Sequence, residues 1–277
     1  MRFFITGILG QLGSTIMSML PEGTASGNDL PELDITSVEQ VRSAIRTADP
    51  DVVIHCAAFT DVDGCARDPE KAQLVNATGT CNVATVCAEY SAVLVLLSTN
   101  EVFDGRRAAP YVETDELAPI NPYGQSKMAA EGHIRELLER YYIVRTSWMY
   151  GAGSSNFVHV IRQLAESGKP LAIVTDELGV PTYASDLARG MLELVEIAPY
   201  GTYHLVNSGQ TSRYGLARKV LDLCGYRSVQ IHRILLEDYE RASTPPRNGV
   251  LQNRAAAALG ISLRPWEAAL QQFLEEG

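Results

Sequence analysis

The chain has 277 residues, 46% hydrophobic and 20% charged, enough to bury a sizeable core as one large domain or two modest ones. Its formal net charge of -10 argues against nucleic-acid recognition through backbone electrostatics, although a few well-placed cations can still hold a small anion. No stretch is apolar over the length needed to span a membrane, and the start Met1-Arg2-Phe3-Phe4-Ile5-Thr6 runs straight into glycines, so no signal peptide is expected.

Arg2 to Thr6 is read as a short buried strand. Gly7-Ile8-Leu9-Gly10-Gln11-Leu12-Gly13 follows, then a helical apolar pattern through Ile16, Met17 and Leu20. Strand, glycines, helix is the setting in which a backbone turn approaches a dinucleotide pyrophosphate at a helix N-terminus. After a second strand near Thr24 to Asn28 comes Asp29, at the distance from the glycines where an acid holds the adenosine ribose, and Asp34 lies close behind. No Lys or Arg occurs between Arg2 and Arg42, so a 2′-phosphate would meet repulsion and no local cation. These acids favour NADH over NADPH, or are solvated loop charges.

Ser37-Val38-Glu39-Gln40 predicts a capping box opening a helix to about Ala48. Val52 to Cys56 is a third strand, ending in the small residues Ala57-Ala58 before Phe59-Thr60. One long helix is expected from Pro69 to Tyr90, with Asn76 inside it either as a satisfied buried amide or as the holder of a water or main-chain group. Val93 to Leu97 is a fourth strand, delivering Ser98 and Thr99 at its end. A helix from Tyr123 to about Arg140 follows, then a fifth strand, Tyr141 to Val144. Tyr123 and Lys127, four apart, project from one helix face.

This strand-helix alternation predicts an α/β fold, a Rossmann-type doubly wound parallel sheet. Beyond Gly151 the rhythm loosens: helices near 156–166, 185–196, 212–224 and 265–274, strands near 171–174, 202–206 and 229–234, and a loop over 175–183. The expected division is a dinucleotide-binding domain over 1–150, with returns near 183–206, and a smaller, discontinuous substrate-binding lobe over most of 151–277. The five cysteines form no Cys-x-x-Cys pair and match no zinc spacing, so buried free thiols in a reducing cytoplasm are expected, with no metal.

Taken in order, Thr6-Gly7-x-x-Gly10-Gln11-Leu12-Gly13, Leu33-Asp34-Ile35-Thr36, Asn76-Ala77-Thr78-Gly79, Tyr123-x-x-x-Lys127, Arg145-Thr146-Ser147-Trp148 and Gly179-x-Pro181-Thr182-Tyr183 make a chain that resembles the dTDP-4-dehydrorhamnose reductase family of extended short-chain dehydrogenases. The resemblance implies reduction of the C4 keto group of a dTDP-linked 4-keto-6-deoxy sugar by NADH or NADPH in a cytoplasmic monomer or homodimer. It implies that Gly7, Gly10, Gln11 and Leu12 lie against the pyrophosphate and that Asp29, Asp34 and Ile35 hold the adenosine. Ala58, Phe59 and Thr60 line the path to the nicotinamide.

Tyr123 would give its proton to the carbonyl oxygen, Thr99 would hydrogen-bond that oxygen, and Lys127 would bind the ribose and lower the Tyr pKa. Trp148 would wall the sugar, and Arg247 would reach the diphosphate. Asn100 and Glu101 stand where the family carries Asp and Tyr, which opens the choice of sugar. Related 4,6-dehydratases carry Thr-Asp-Glu there, but Asn100 cannot protonate a leaving hydroxyl. Two alternatives remain: reduction of another nucleotide-linked keto sugar, and a non-catalytic subunit resembling the regulatory subunit of methionine adenosyltransferase.

Overall fold

Side chains on successive strand residues point to opposite sheet faces, and here both faces are covered. The computed structural model describes residues 1–153, 156–168 and 170–276. Its first half contains β1 (Phe3–Thr6), α1 (Gln11–Met19), β2 (Ala25–Asn28), α2 (Val38–Ala48), β3 (Val52–His55), α3 (Val62–Arg67), α4 (Pro69–Ala72), α5 (Gly79–Glu89), β4 (Val93–Thr99), α6 (Pro122–Leu137) and β5 (Tyr141–Thr146). The second half contains β6 (Met149–Tyr150), α7 (Phe157–Glu166), β7 (Leu171–Val174), β8 (Leu178–Gly179), β9 (Thr182–Tyr183), α8 (Ala184–Ile197), β10 (Gly201–His204), β11 (Thr211–Ser212), α9 (Arg213–Leu223), β12 (Ile231–Ile234), α10 (Arg254–Ala258) and α11 (Trp266–Glu276).

Six strands form one parallel sheet in the order β10-β5-β4-β3-β1-β2. Phe3, Ile5, Val52, Ile54, Val95 and Val144 pack on one face with Leu12 and Ile16 of α1 and Leu187, Met191 and Leu194 of α8. Phe4, Val53, Leu94, Leu96 and Ile143 pack on the other with Val41 and Ile45 of α2, Val83 and Val86 of α5, and Ile134 of α6. The chain leaves β1 toward β2 and then crosses to β3 on β1's other side. That reversal opens a crevice at the carboxyl ends of β1 and β3, where ligands of doubly wound sheets bind.

The expected return of the chain is present: β10 adds to the sheet beside β5, and α8 packs on α1. The remainder builds a lobe around Tyr150, Ile161, Leu171, Leu216, Trp266 and Phe273, with β7 paired to β12, β6 to β9 and β8 to β11.

Two expectations need correction. The single helix from Pro69 to Tyr90 is interrupted by a π-helical turn at Gln73–Thr78, a feature that inserts an extra residue per turn and redirects side chains. The Pro-interrupted loop over 175–183 contains β8 and β9, whose backbone groups pair with β11 and β6. All five cysteines are free, with Cys65 and Cys87 buried and the others half-buried. No helix among the described residues is long and apolar enough to cross a membrane.

Candidate active site

The crevice continues into a cavity of about 570 Å³ between the sheet edge and the lobe. The glycine turn forms its floor. Gly7 has φ +73°, and a Cβ there would come within 2.6 Å of the Ala57 nitrogen, so only glycine lets the turn lie against the end of β3. Gly10 is the N-cap of α1 and brings no side-chain acceptor to the first-turn N–H groups, leaving the helix's positive end for an anion. Asp29 closes this end: its Oδ2 accepts from Leu9 N at 3.1 Å and its Oδ1 from Leu30 N at 2.9 Å.

Of the residues expected at the cofactor, Gly7, Gly10, Gln11, Leu12, Asp29, Ile35, Ala58 and Thr60 line the cavity, and Asp34 and Phe59 do not. Asp34 turns its carboxylate back on its own loop, where Oδ1 accepts from Thr36 N at 2.9 Å and Thr36 Oγ1 at 2.7 Å. The Phe59 backbone is held from behind by Asn76, whose Oδ1 accepts from Phe59 N at 2.7 Å and whose Nδ2 donates to Phe59 O at 3.0 Å. Asn76 Nδ2 also donates to Ser126 Oγ at 3.0 Å, and Ser126 Oγ donates to Tyr123 O at 2.7 Å. Asn76 is thus a satisfied buried amide, and the main-chain group it holds is that of Phe59. The amide ties the loop after β3 to the start of α6.

Helix α6 delivers Tyr123 and Lys127. Asn121 caps it, its Oδ1 accepting from Gly124 N at 2.8 Å, and Pro122 occupies the first helical position. Gly124 has no side chain because a Cβ there would lie 2.1 Å from the Glu101 carbonyl oxygen. The helix start is thereby pressed against the end of β4, and Thr99, Asn100, Glu101, Tyr123 and Lys127 all face one cavity. The Thr99 hydroxyl lies beside the Tyr123 phenol, and its Oγ1 donates to Asn100 Oδ1 at 3.4 Å and accepts from Glu101 N at 3.2 Å.

Burial pushes the Tyr123 phenol above its ordinary range, Glu101 pushes the same way, and only the Thr99 hydroxyl opposes them. Lys127, expected to lower it, is not among the groups that shift the phenol, and desolvation disfavours the phenolate. Burial also brings Lys127 down to about 8, against the pull of Glu131. Glu101 rises to about 7, mainly by burial, while its hydrogen bond from Asn121 Nδ2, 2.5 Å long, works the other way.

His55 at the end of β3 backs the site. Thr80 Oγ1 spends its proton on Asn76 O at 2.6 Å and so accepts from His55 Nε2 at 3.1 Å; Thr6 Oγ1 donates to Nδ1 at 2.7 Å. The ring is thus held neutral, and burial and Lys127 lower its pKa to about 3. Burial, then Arg145, lowers His204 to about 3 as well.

Stability should respond to pH accordingly. Between about pH 6 and 5 the unfolded chain binds nearly two more protons than the folded chain at the two histidines, while folded Glu101 holds one that the unfolded chain lacks. Stability should therefore fall by about 1 kcal/mol as pH drops by one unit, and about twice as steeply in Glu101→Gln, which removes the opposing proton. Urea titrations of both proteins check this; equal slopes would contradict it.

The substrate end is less as expected. Trp148 lines the cavity, in a left-handed backbone conformation with φ 44°. Such a conformation is uncommon for a bulky residue and needs support from its surroundings. Ser147 supplies part of it, donating Oγ to Val180 O at 2.8 Å. Arg247 lies outside the cavity lining, its guanidinium 3.3 Å from Glu237 and 3.8 Å from Asp176. These two carboxylates hold it away from the position expected. The cavity cation that the sequence did not single out is Arg213, beside Tyr150, Phe157 and Leu216.

A parallel doubly wound sheet, a glycine turn at its switch point, and a Tyr-x-x-x-Lys pair meeting a strand-end hydroxyl define the class: an extended short-chain dehydrogenase/reductase. A family model described as RmlD substrate binding domain matches residues 1–277. The chain is 37% identical over 285 residues to dTDP-4-dehydrorhamnose reductase of Mycobacterium tuberculosis, covering 99% of this chain and 92% of that protein. It is 36% identical over 277 residues to the spore coat polysaccharide biosynthesis protein SpsK of Bacillus subtilis, covering 99% and 97%. Among solved structures, dTDP-4-dehydrorhamnose reductase of Bacillus anthracis in complex with NADP superposes with a TM-score of 0.96 at 35% identity, covering 100% of this chain and 99% of that one. The chain belongs to the RmlD family, that of the dTDP-4-dehydrorhamnose reductases.

Proposed function

We propose that this protein reduces the C4 keto group of a dTDP-linked 4-keto-6-deoxy sugar, with dTDP-4-dehydro-L-rhamnose, giving dTDP-L-rhamnose, as the first candidate. The observation that carries the reading is the convergence of Thr99, Tyr123 and Lys127 on one cavity whose other end is the glycine turn. The named relatives support the substrate class. The cavity also suits a nicotinamide dinucleotide: its floor admits backbone alone at Gly7, and α1 presents an uncapped positive end.

Gly10, Gln11 and Leu12 hold the pyrophosphate, and Asp29 and Ile35 the adenosine. Lys127 holds the nicotinamide ribose. A bound reduced nicotinamide supplies a hydride. Thr99 and Tyr123 grip the carbonyl oxygen, and Tyr123, protonated at rest, delivers the proton that the oxygen needs as the carbon is reduced. Residues 1–150, with the return over 183–206, carry the cofactor half, and 151–277 mainly the sugar half. A cytoplasmic location suits the five free thiols.

Steady-state oxidation of NADH and NADPH with dTDP-4-dehydro-L-rhamnose tests the reading, and no turnover with either cofactor would sink it. Asn100 and Glu101 in the wall favour testing other dTDP-keto sugars beside it, because a carboxylate and an amide there face the sugar in place of the family's Asp and Tyr.

We propose NADH as the preferred cofactor, since Asp29 lines the adenosine end and no cation lies between Arg2 and Arg42 in sequence. Asp29→Asn keeps the shape and removes the charge. It should weaken NADH by about tenfold, the value of a charge-assisted hydrogen bond, and NADPH by less. Equal effects in fluorescence titrations of the two cofactors would reject the preference.

A further inference from the structure

Four charged residues line the cavity among those described: Asp29, Glu101, Lys127 and Arg213. A nucleotide-linked sugar brings two negative charges of its own, and burying them without a cation is costly. Lys127 is committed beside Tyr123 and is itself almost fully buried. Arg213 is the remaining cation, and the lobe holds it in a fixed plane. Its guanidinium lies 3.8 Å from the centre of the Trp148 ring, and Nε and Nη2 both reach Glu177 Oε1, at 3.0 and 2.9 Å.

Glu177 is buried. Gly179 supports Trp148 in turn, for a Cβ there would stand 2.5 Å from the indole. The pairing with Glu177 occupies one edge of the fork, while Nη1 has no partner among the described residues. A planar, pre-set guanidinium with donors to spare is the group that holds a phosphate through parallel hydrogen bonds.

We propose that Arg213, held by Glu177 and stacked on Trp148, binds the diphosphate of the nucleotide-linked sugar, the role the sequence suggested for Arg247. The inference rests on the substrate class proposed above. Trp148 and Arg213 then act together: the indole walls the sugar while the cation stacked on it fixes the diphosphate. Where the sugar nucleotide seats is set by the lobe rather than by the cofactor half.

The test is direct binding of dTDP and of thymidine, which lacks the diphosphate, to the full chain by calorimetry, with NADH titration as the control for an intact fold. Arg213→Met should weaken dTDP by about tenfold to a hundredfold, with thymidine and NADH changed less than twofold. Arg213→Lys, which keeps the charge but not the fork, should recover part of the loss. The proposal is overturned if wild-type protein does not bind dTDP, if Arg213→Met leaves dTDP affinity unchanged, or if dTDP and NADH weaken together. A loss in Arg247→Met without one in Arg213→Met would overturn it too. Arg213-dependent dTDP binding by a protein that reduces no keto sugar would leave this assignment standing and remove the reductase reading.

Discussion

Tyr123→Phe should lower kcat about a hundredfold or more while leaving NADH binding largely intact. The substitution removes one oxygen and keeps the ring. Helix α6 keeps its start, because the Asn121 cap and the Ser126 bond to Tyr123 O involve the backbone. What is lost is the proton. Burial and the neighbouring Glu101 hold the phenol protonated at rest, so the proton is available when the carbonyl oxygen gathers charge. Positioned proton transfer is worth about a hundredfold to ten-thousandfold. Lys127, brought down toward 8 by burial, is still largely an ammonium at neutral pH. Single-turnover kinetics beside NADH titration measure both quantities, and unchanged turnover would remove Tyr123 from the role given to it.

Arg145→Met should cost up to about 3–5 kcal/mol of stability, because it leaves the buried Glu131 carboxylate with the half-exposed Arg135 as its remaining cation. Arg145 and Glu131 are both buried and meet through two bonds, Nε to Oε1 at 2.9 Å and Nη2 to Oε2 at 2.7 Å. Ser98 Oγ donates to the same Oε1 at 2.7 Å, and Arg135 adds a bond from near the surface. Glu131 is one helical turn beyond Lys127 and raises its pKa against burial, so this ion pair lies directly behind the catalytic face. Replacing both partners by Met removes the charge along with its partner and should restore most of the lost stability. Urea unfolding of the single and double variants decides it. A double variant as unstable as the single one would show that packing, not the stranded charge, sets the cost.

The early residues were the most legible. The short apolar runs Phe3-Phe4-Ile5 and Val52-Val53-Ile54, the Gly7 turn, and the Tyr123 to Lys127 spacing are local patterns, and each can be read within a few residues. The π-helical turn around Asn76 was not legible, since it carries no local sequence signal, and the bonds its Asn76 amide makes to Phe59 join residues 17 apart. Asp34 and Arg247 show the limit from the other side: their charges suit a ligand, but nearer partners in the fold take them up.

Local pattern was enough for the alternation of strands and helices, the glycine turn and the Tyr-Lys face, since each is written within a few residues. It also placed Thr99 at a strand end and marked Asn100-Glu101 as the family departure. The fold was needed to show that Gly124 lets α6 press on Glu101, that Glu131 pairs with Arg145, and that Arg213 stacks on Trp148 while Arg247 lies outside the cavity. The first two arise where α6 packs on the end of β4 and on β5, and the third where the lobe brings the start of α9 against the chain leaving β5; none is written in a local pattern.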